Sequence, residues 1–273
     1  DAKETLLKAV RFIALSLVLA LMIFPLLWMF RVSLMPPGAG LSLEELISPA
    51  LSLLPYQNIL TSGKMTLFFF NSLLVGVVVT VANILFCFLS GYAFARHPFP
   101  GRRFWFYSVL FVLMIPSHIV IVPLYMMLHK LGMYDTYWAL ILPFAVNPIG
   151  IFLVRQYLET LPTSMEEAAR IDGASELQII FKVVMPLCKP ALTVLAIQVF
   201  LTNWNSFLFP LILTSSESVR TLPVALALYQ GHQAIDWSHL MAGSSLAVIP
   251  VLAVFLVFQR HIVSGITAGA VRQ

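Results

Sequence analysis

Charged residues fall in clusters along this chain, and between the clusters stand six charge-free stretches of at least 19 residues: 12–30, 65–95, 104–129, 136–154, 190–216 and 237–259. A helix needs about 20 apolar residues, at roughly 1.5 Å of rise each, to cross the hydrocarbon layer of a bilayer. The pattern predicts an all-α integral membrane protein with six transmembrane helices at about 12–30, 68–94, 104–127, 137–157, 187–213 and 239–260. The stretch 221–235 is shorter and contains Pro223, Gln230, Gly231, His232 and Gln233, so it reads as extramembrane. Pro116, Pro123, Pro143, Pro148, Pro210 and Pro250 lie within or beside the later stretches. Each removes a backbone donor and predicts a bend, and bent helices suit the wall of a cavity.

The basic start and apolar middle of residues 1–30 resemble a secretory leader in outline only. No small-residue cleavage site follows, and 19 apolar residues exceed the usual apolar core of such a leader, so the stretch reads as an uncleaved first span. With six spans both termini share one side. Twelve Lys and Arg residues then lie on that side, among them Arg96, Arg102, Arg103, Arg155 and Arg170. The other side holds four, Arg31, Lys64, Lys130 and Arg220. This bias predicts cytoplasmic termini. The segments between spans are too short for independent domains, so 1–273 reads as one transmembrane domain. A capping box, Ser42 with Glu45, predicts a short helix over 42–47.

Composition agrees with the pattern: 60% of residues are hydrophobic, 10% are charged, and mean hydropathy is +0.92. The basic excess is spread along the chain, which predicts contact with membrane lipid and no nucleic-acid partner. Cys87 and Cys188 read as small apolar fillers. The six histidines are scattered, so no metal site is expected. No Gly-x-x-x-x-Gly-Lys-Ser/Thr run occurs, so the chain is not expected to hydrolyse ATP or to be an enzyme, and no catalytic residue is assigned.

Nine of the 28 charged residues lie between Arg155 and Lys189. Pro162 stops one helix. Thr163 and Ser164, with Glu166 and Glu167 three residues on, offer two capping boxes for a short new one. Asp172-Gly173 breaks it, and Ser175 with Gln178 starts another, whose apolar face carries Ile179, Ile180, Val183 and Val184. A helix of about eight residues does not hold itself in water. The residues alone read equally as a solvated interhelical connection or as a knob that docks on another protein through Glu167, Ala168, Ala169, Arg170 and Asp172.

The stretch "EEAARIDGAS…FKVVMPLCKPAL" resembles the EAA motif of permease subunits in binding-protein-dependent ABC importers. Within them it is similar to the carbohydrate-uptake branch that contains maltose and glycerol-3-phosphate permeases. "GYAFARHPFPGRR", "NWNSFLFPLIL" and "QRHIVSGITAGAVRQ" extend the likeness from about residue 66 to the end. The resemblance implies the MetI-like type I permease fold, with 162–185 as cytoplasmic coupling segment and 261–273 as cytoplasmic tail. It implies that Glu166, Glu167, Ala168, Ala169, Asp172, Gly173 and Pro186 serve coupling to a cytoplasmic ATPase dimer, which would hold ATP and Mg, this chain binding no cofactor. The tail residues Gly265, Gly269 and Val271 are implied to approach the same ATPase. Further implied partners are a second permease subunit and an extracytoplasmic sugar-binding protein, all at the bacterial or archaeal cytoplasmic membrane.

For the solute path the polar residues within the apolar stretches are the candidates: Asn83, His118, Asn147, Asn203, Trp204 and Asn205, with Asn71, Ser117 and Gln198 beside them. Amides and an aromatic face suit sugars. The same groups also serve to join helices. No Lys or Arg interrupts the six stretches, which disfavours an anionic solute, and no acid does, which disfavours an ion-coupled secondary transporter. A permease of the same superfamily for a non-sugar solute is the other alternative.

Overall fold

The computed structural model describes residues 2–39, 42, 44–45, 50–229 and 236–270, with the backbone alone at 2 and 260–270. Among the described residues all regular structure is helical. Four helices are long and apolar enough to cross a membrane, Lys3–Ser33, Lys64–Arg96, Tyr137–Glu159 and Trp237–Gln259. Two bent pairs pass the same test together: Arg102–Val112 with Ser117–Lys130, at 90°, and Glu176–Leu187 with Lys189–Trp204, at 75°. Counting each pair as one span gives six.

Proline chemistry accounts for the interruptions. Pro116 is extended and precedes the 3-10 turn Ser117–Val120, which leads into Ile121–Lys130. It has no N–H for the preceding turn and disfavours helical geometry at Ile115. Tyr137–Ile141 gives way to a 3-10 turn over Leu142–Phe144 with Pro143 inside it. The helix Pro148–Glu159 then starts with proline at its first position, where the missing donor costs nothing. The fifth expected span departs most from its predicted bounds. It bends at Cys188, between Pro186 and Pro190, ends at Trp204, and resumes only as Leu208–Leu213. Pro250, by contrast, sits inside a helix that runs unbroken from Trp237 to Ala270. The tail expected to begin at 261 therefore continues as helical backbone through Ala270. Gly265 and Gly269 lie within it, and Val271 lies outside the described residues.

The chain divides into two compact units. One comprises residues up to Leu67 with Ala225–Pro250. Its first helix, α1 (Ala2–Ser33), buries none of its most apolar window. A hydroxyl chain ties this unit together: Ser33 Oγ and Ser245 Oγ each lie 2.7 Å from the Tyr56 hydroxyl. Asp236 caps the last helix, accepting from the Ser238 and His239 backbone N–H and from Ser238 Oγ at 2.7 Å. The predicted box at Ser42 forms, with Ser42 Oγ donating to Glu45 Oε2 at 2.8 Å and Glu45 N–H donating back. Ile47, the expected end of that helix, and His232 lie outside the described residues.

The second unit, Phe68–Val224 with Val251 onward, holds the main core. Val79, Phe88, Tyr92, Leu140, Val154, Leu158, Ile179 and Leu195 are almost wholly buried there. Gly150 permits the closest approach: a Cβ on it would stand 2.8 Å from Cys87 Sγ and 2.7 Å from Leu195 Cδ1. The expected filler role of Cys87 and Cys188 agrees with their complete burial.

Candidate functional site

Two places in the second unit concentrate polar chemistry. The first is built around α2 (Ser164–Ile171), an eight-residue helix between Pro148–Glu159 and Glu176–Leu187. Neither predicted box at its start forms. Thr163 is helical and makes no side-chain cap; its hydroxyl instead donates to Glu167 Oε1 at 3.0 Å. Glu166, implied by the resemblance to serve coupling, is turned inward and buried, and Ala169, expected on the docking surface, packs against the core. Its Oε1 accepts from Arg96 Nε at 2.7 Å and its Oε2 lies 3.3 Å from the Tyr92 hydroxyl. Arg96 and Glu166 are only 12% and 6% exposed, and Arg96 also donates through Nη2 to the Leu161 carbonyl. A carboxylate so enclosed remains there because the guanidinium compensates its lost hydration.

The arrangement continues into the next helix. The Tyr92 hydroxyl lies 3.2 Å from Glu176 Oε1, and Arg170 Nη2 donates to both oxygens of Glu176. The capping box of Ser175 with Gln178 forms as predicted. The segment it starts passes through a π turn, Ile179–Val184, with Ile179, Ile180 and Val184 buried. Glu166 and Ala169, three residues apart, thus face inward on α2. Glu167, Ala168, Arg170, Asp172 and Gly173 are exposed. Gly173 has φ +81°, a left-handed stop reserved for residues without Cβ. Pro186 is exposed at the far end of the segment.

Sequence reasoning missed Ile171, which is 86% exposed, with Met165 and Leu177 exposed nearby. The signal was present: Ile171 falls five positions after Glu166, off the face that Glu166 and Ala169 share. The outward surface therefore combines apolar Met165, Ile171 and Leu177 with charged Glu167, Arg170 and Asp172.

The second place is a cavity of about 620 Å³, open to one side, whose wall includes Asn83, Ser117, Asn147, Thr202, Asn203 and Ser206. Phe144, Met127 and Phe209 supply apolar surface, and no charged residue lines it among the described residues. Asn83 commits both amide hydrogens to the Val79 and Phe144 carbonyls, so it holds the wall together. Asn147 uses Oδ1 to cap Ile149, leaving its NH2 free, and Asn203 donates to the Val199 carbonyl, leaving its Oδ1 free. Of the sequence candidates, Asn83, Asn147 and Asn203 meet here. Trp204 does not: it is buried, edge-on to Phe69 and stacked on Phe200. Asn205 is exposed outside the lining, and His118 stacks on Phe209 from outside it. Asn71 is a clip, donating to the Ser218 and Arg220 carbonyls and accepting from Tyr137. Thr202 and Ser206 went unnoticed in the sequence because single hydroxyls in an apolar stretch carry no pattern.

Opposite in the sequence, at the connection after Lys130, Asp135 adopts φ +60° and accepts from the backbone N–H groups of Ser215 and Ser216 and from Ser216 Oγ. Partial burial raises its pKa, but these hydrogen bonds outweigh that and hold it below the ordinary carboxylate value.

Bent apolar helices around an uncharged cavity, with a charged knob pinned at one end, describe a multi-pass membrane permease. Over residues 84–268 the chain matches the family described as "Binding-protein-dependent transport system inner membrane component", and it belongs to that family. It is 36% identical to the arabinooligosaccharides transport system permease protein AraQ of Bacillus subtilis (strain 168), over 96% of this chain and 93% of that one. It is 34% identical to the trehalose/maltose transport system permease protein MalG of Thermococcus litoralis, over 99% of each. A chain of a bacterial ABC transporter involved in the import of the acidic polysaccharide alginate shares its fold, with TM-score 0.82 at 23% identity, covering 95% of this chain and 98% of that one.

Proposed function

We propose that this chain is one permease subunit of an ATP-driven importer for a neutral oligosaccharide or disaccharide delivered by an extracytoplasmic binding protein. One observation carries the solute class: the cavity offers free amide and hydroxyl groups beside aromatic surface and no charge. That is what a polyhydroxylated, uncharged molecule needs. The arabinooligosaccharide and trehalose/maltose systems in which similar permeases work support the same class.

The exposed surface of Glu167, Ala168, Ile171 and Asp172 is read as the contact with one subunit of a cytoplasmic ATPase dimer. When ATP closes that dimer, α2 is carried with it. The buried Arg96–Glu166 pair passes the displacement to Lys64–Arg96, and Glu176–Leu187 passes it to Lys189–Trp204, two helices that contribute to the cavity wall. A second permease subunit completes the pathway, and the helical segment with Gly265 and Gly269 reaches the ATPase side. Both termini then share the cytoplasmic side with α2, in keeping with the basic bias of the sequence.

The test is uptake of labelled arabinotriose, maltose and trehalose by cells lacking this chain, complemented with wild type, Glu167→Ala or Gly173→Val. Wild type should restore uptake of at least one sugar, and the variants should insert normally yet fail to transport. Any L residue at Gly173 incurs roughly 1–2 kcal/mol of left-handed strain, and nothing lies within 4 Å of its Cβ position to add a clash. Uptake that survives ATP depletion and stops with an ionophore would establish the ion-coupled alternative instead.

A further inference from the structure

A second cavity of about 620 Å³ lies where the chain turns from Lys64–Arg96 into the helix Arg102–Val112, and its wall carries three guanidinium groups, Arg102, Arg103 and Arg155. Arg155 is held in place from two sides. Its Cζ stands 3.9 Å over the Phe106 ring, and its Nη2 meets Glu159 Oε1 at 2.6 Å. Its Nε is buried without a hydrogen-bond partner among the described residues. Arg102 and Arg103 have no ion pair or side-chain hydrogen bond among the described residues. With Glu159 engaged by Arg155, two guanidinium charges stand without a carboxylate.

The helix start adds to this. Gly101, at φ +74°, lines the cavity, precedes Arg102 and has no side chain to cap the first turn; Arg102 N–H donates to the Phe99 carbonyl, while the N–H groups of Arg103 and Phe104 are uncapped at the positive end of the helix dipole. Planar guanidinium forks and uncapped N–H groups together recognise a tetrahedral oxyanion. The surroundings identify where that oxyanion comes from. Tyr107, which lines the cavity, and Trp105, whose Nε1 lies 3.4 Å from the Cβ position of the lining residue Gly101, are 65% and 57% exposed, on a helix that enters the apolar part of the chain. Exposed Trp and Tyr beside arginine at the end of a spanning helix mark the headgroup level of a bilayer.

We propose that this cavity seats the phosphate of an anionic phospholipid, with Trp105 and Tyr107 against its glycerol and upper acyl region. The site is separate from the solute cavity and does not depend on the identity of the transported molecule.

The complete transporter, purified in detergent and depleted of lipid, is titrated with phosphatidylglycerol, with phosphatidylcholine and with inorganic phosphate, and read by native mass spectrometry and thermal shift. Phosphatidylglycerol should bind and stabilise, and phosphatidylcholine should not. Arg102→Gln with Arg103→Gln should weaken retention by roughly fivefold for each charge removed, while Arg11→Gln, on α1, should change nothing. Arg155→Lys keeps the charge but loses the fork and should fall between. Equal retention of the two lipids, or wild-type retention by the double variant, overturns the proposal. Protection by inorganic phosphate equal to that by the lipid overturns it in favour of a soluble anion. Were the double variant not to assemble, the comparison of lipids and phosphate on the wild type decides alone.

Discussion

Replacing Arg96 with Ala is the sharpest probe of how α2 is held. The pair it breaks has an N to O distance of 2.7 Å and partners 12% and 6% exposed. Removing one member of an ion pair buried to this degree leaves a lone charge and costs about 3–5 kcal/mol. Loss of the bond to the Leu161 carbonyl adds about 1 kcal/mol. The cost falls on the seating of an eight-residue helix that cannot hold itself, and not on the apolar spans. Four kcal/mol of unseating corresponds to roughly a thousandfold shift in that equilibrium. Reconstituted transporter with Arg96→Ala should therefore be present at near wild-type level while uptake falls by at least about a hundredfold. Glu166→Gln keeps an acceptor for Arg96 and should lose less. Arg96→Met combined with Glu166→Leu removes both charges and should recover much of the loss, since a buried pair can be exchanged for packed apolar groups. Uptake by Arg96→Ala within about twofold of wild type would refute the pinning role, as would strictly additive losses in a double-mutant cycle.

At Gly150, even Ala places a Cβ within 2.8 Å of two side chains, so Gly150→Ala should destabilise by roughly 1–3 kcal/mol, read as a lower unfolding temperature. Asn147→Leu and Asn203→Leu each remove a free cavity group and should raise the KM for sugar uptake by roughly tenfold, whereas Asn205→Leu, outside the lining, should not. Asp135 has a depressed pKa, so its contribution is present above the unfolded carboxylate value and is lost as pH falls through the folded one. Asp135→Asn, which tolerates the left-handed backbone, should thus lower stability at neutral pH and flatten the acid limb of a thermal-shift profile.

Much of this architecture is legible in the spacing of charges. Charge-free length marks the spans, and proline marks where the third, fourth and fifth break, because each follows from backbone chemistry that acts within a few residues. What depends on residues far apart in sequence is not legible. Glu166 and Glu167 are equivalent as capping candidates; Arg96 and Tyr92, 70 and 74 positions earlier, receive Glu166 on the inward side. Trp204 qualifies for a sugar face by type, yet Phe69 and Phe200 claim it. The last apolar stretch, expected to span at 239–260, agrees with the membrane-length helix Trp237–Gln259, and the helical backbone runs on to Ala270 with no proline after Pro250 to stop it.

A helix whose apolar stretch adds nothing to the interior formed by the described residues is held by its length and hydrophobicity and not by packing. Ala2–Ser33 is in that position along its apolar stretch. Before its last turn its side chains meet no core among the described residues, whereas Val32 and Ser33 are buried and Ser33 bonds Tyr56, so an unrelated apolar anchor of equal length should be tolerated provided that last turn is kept.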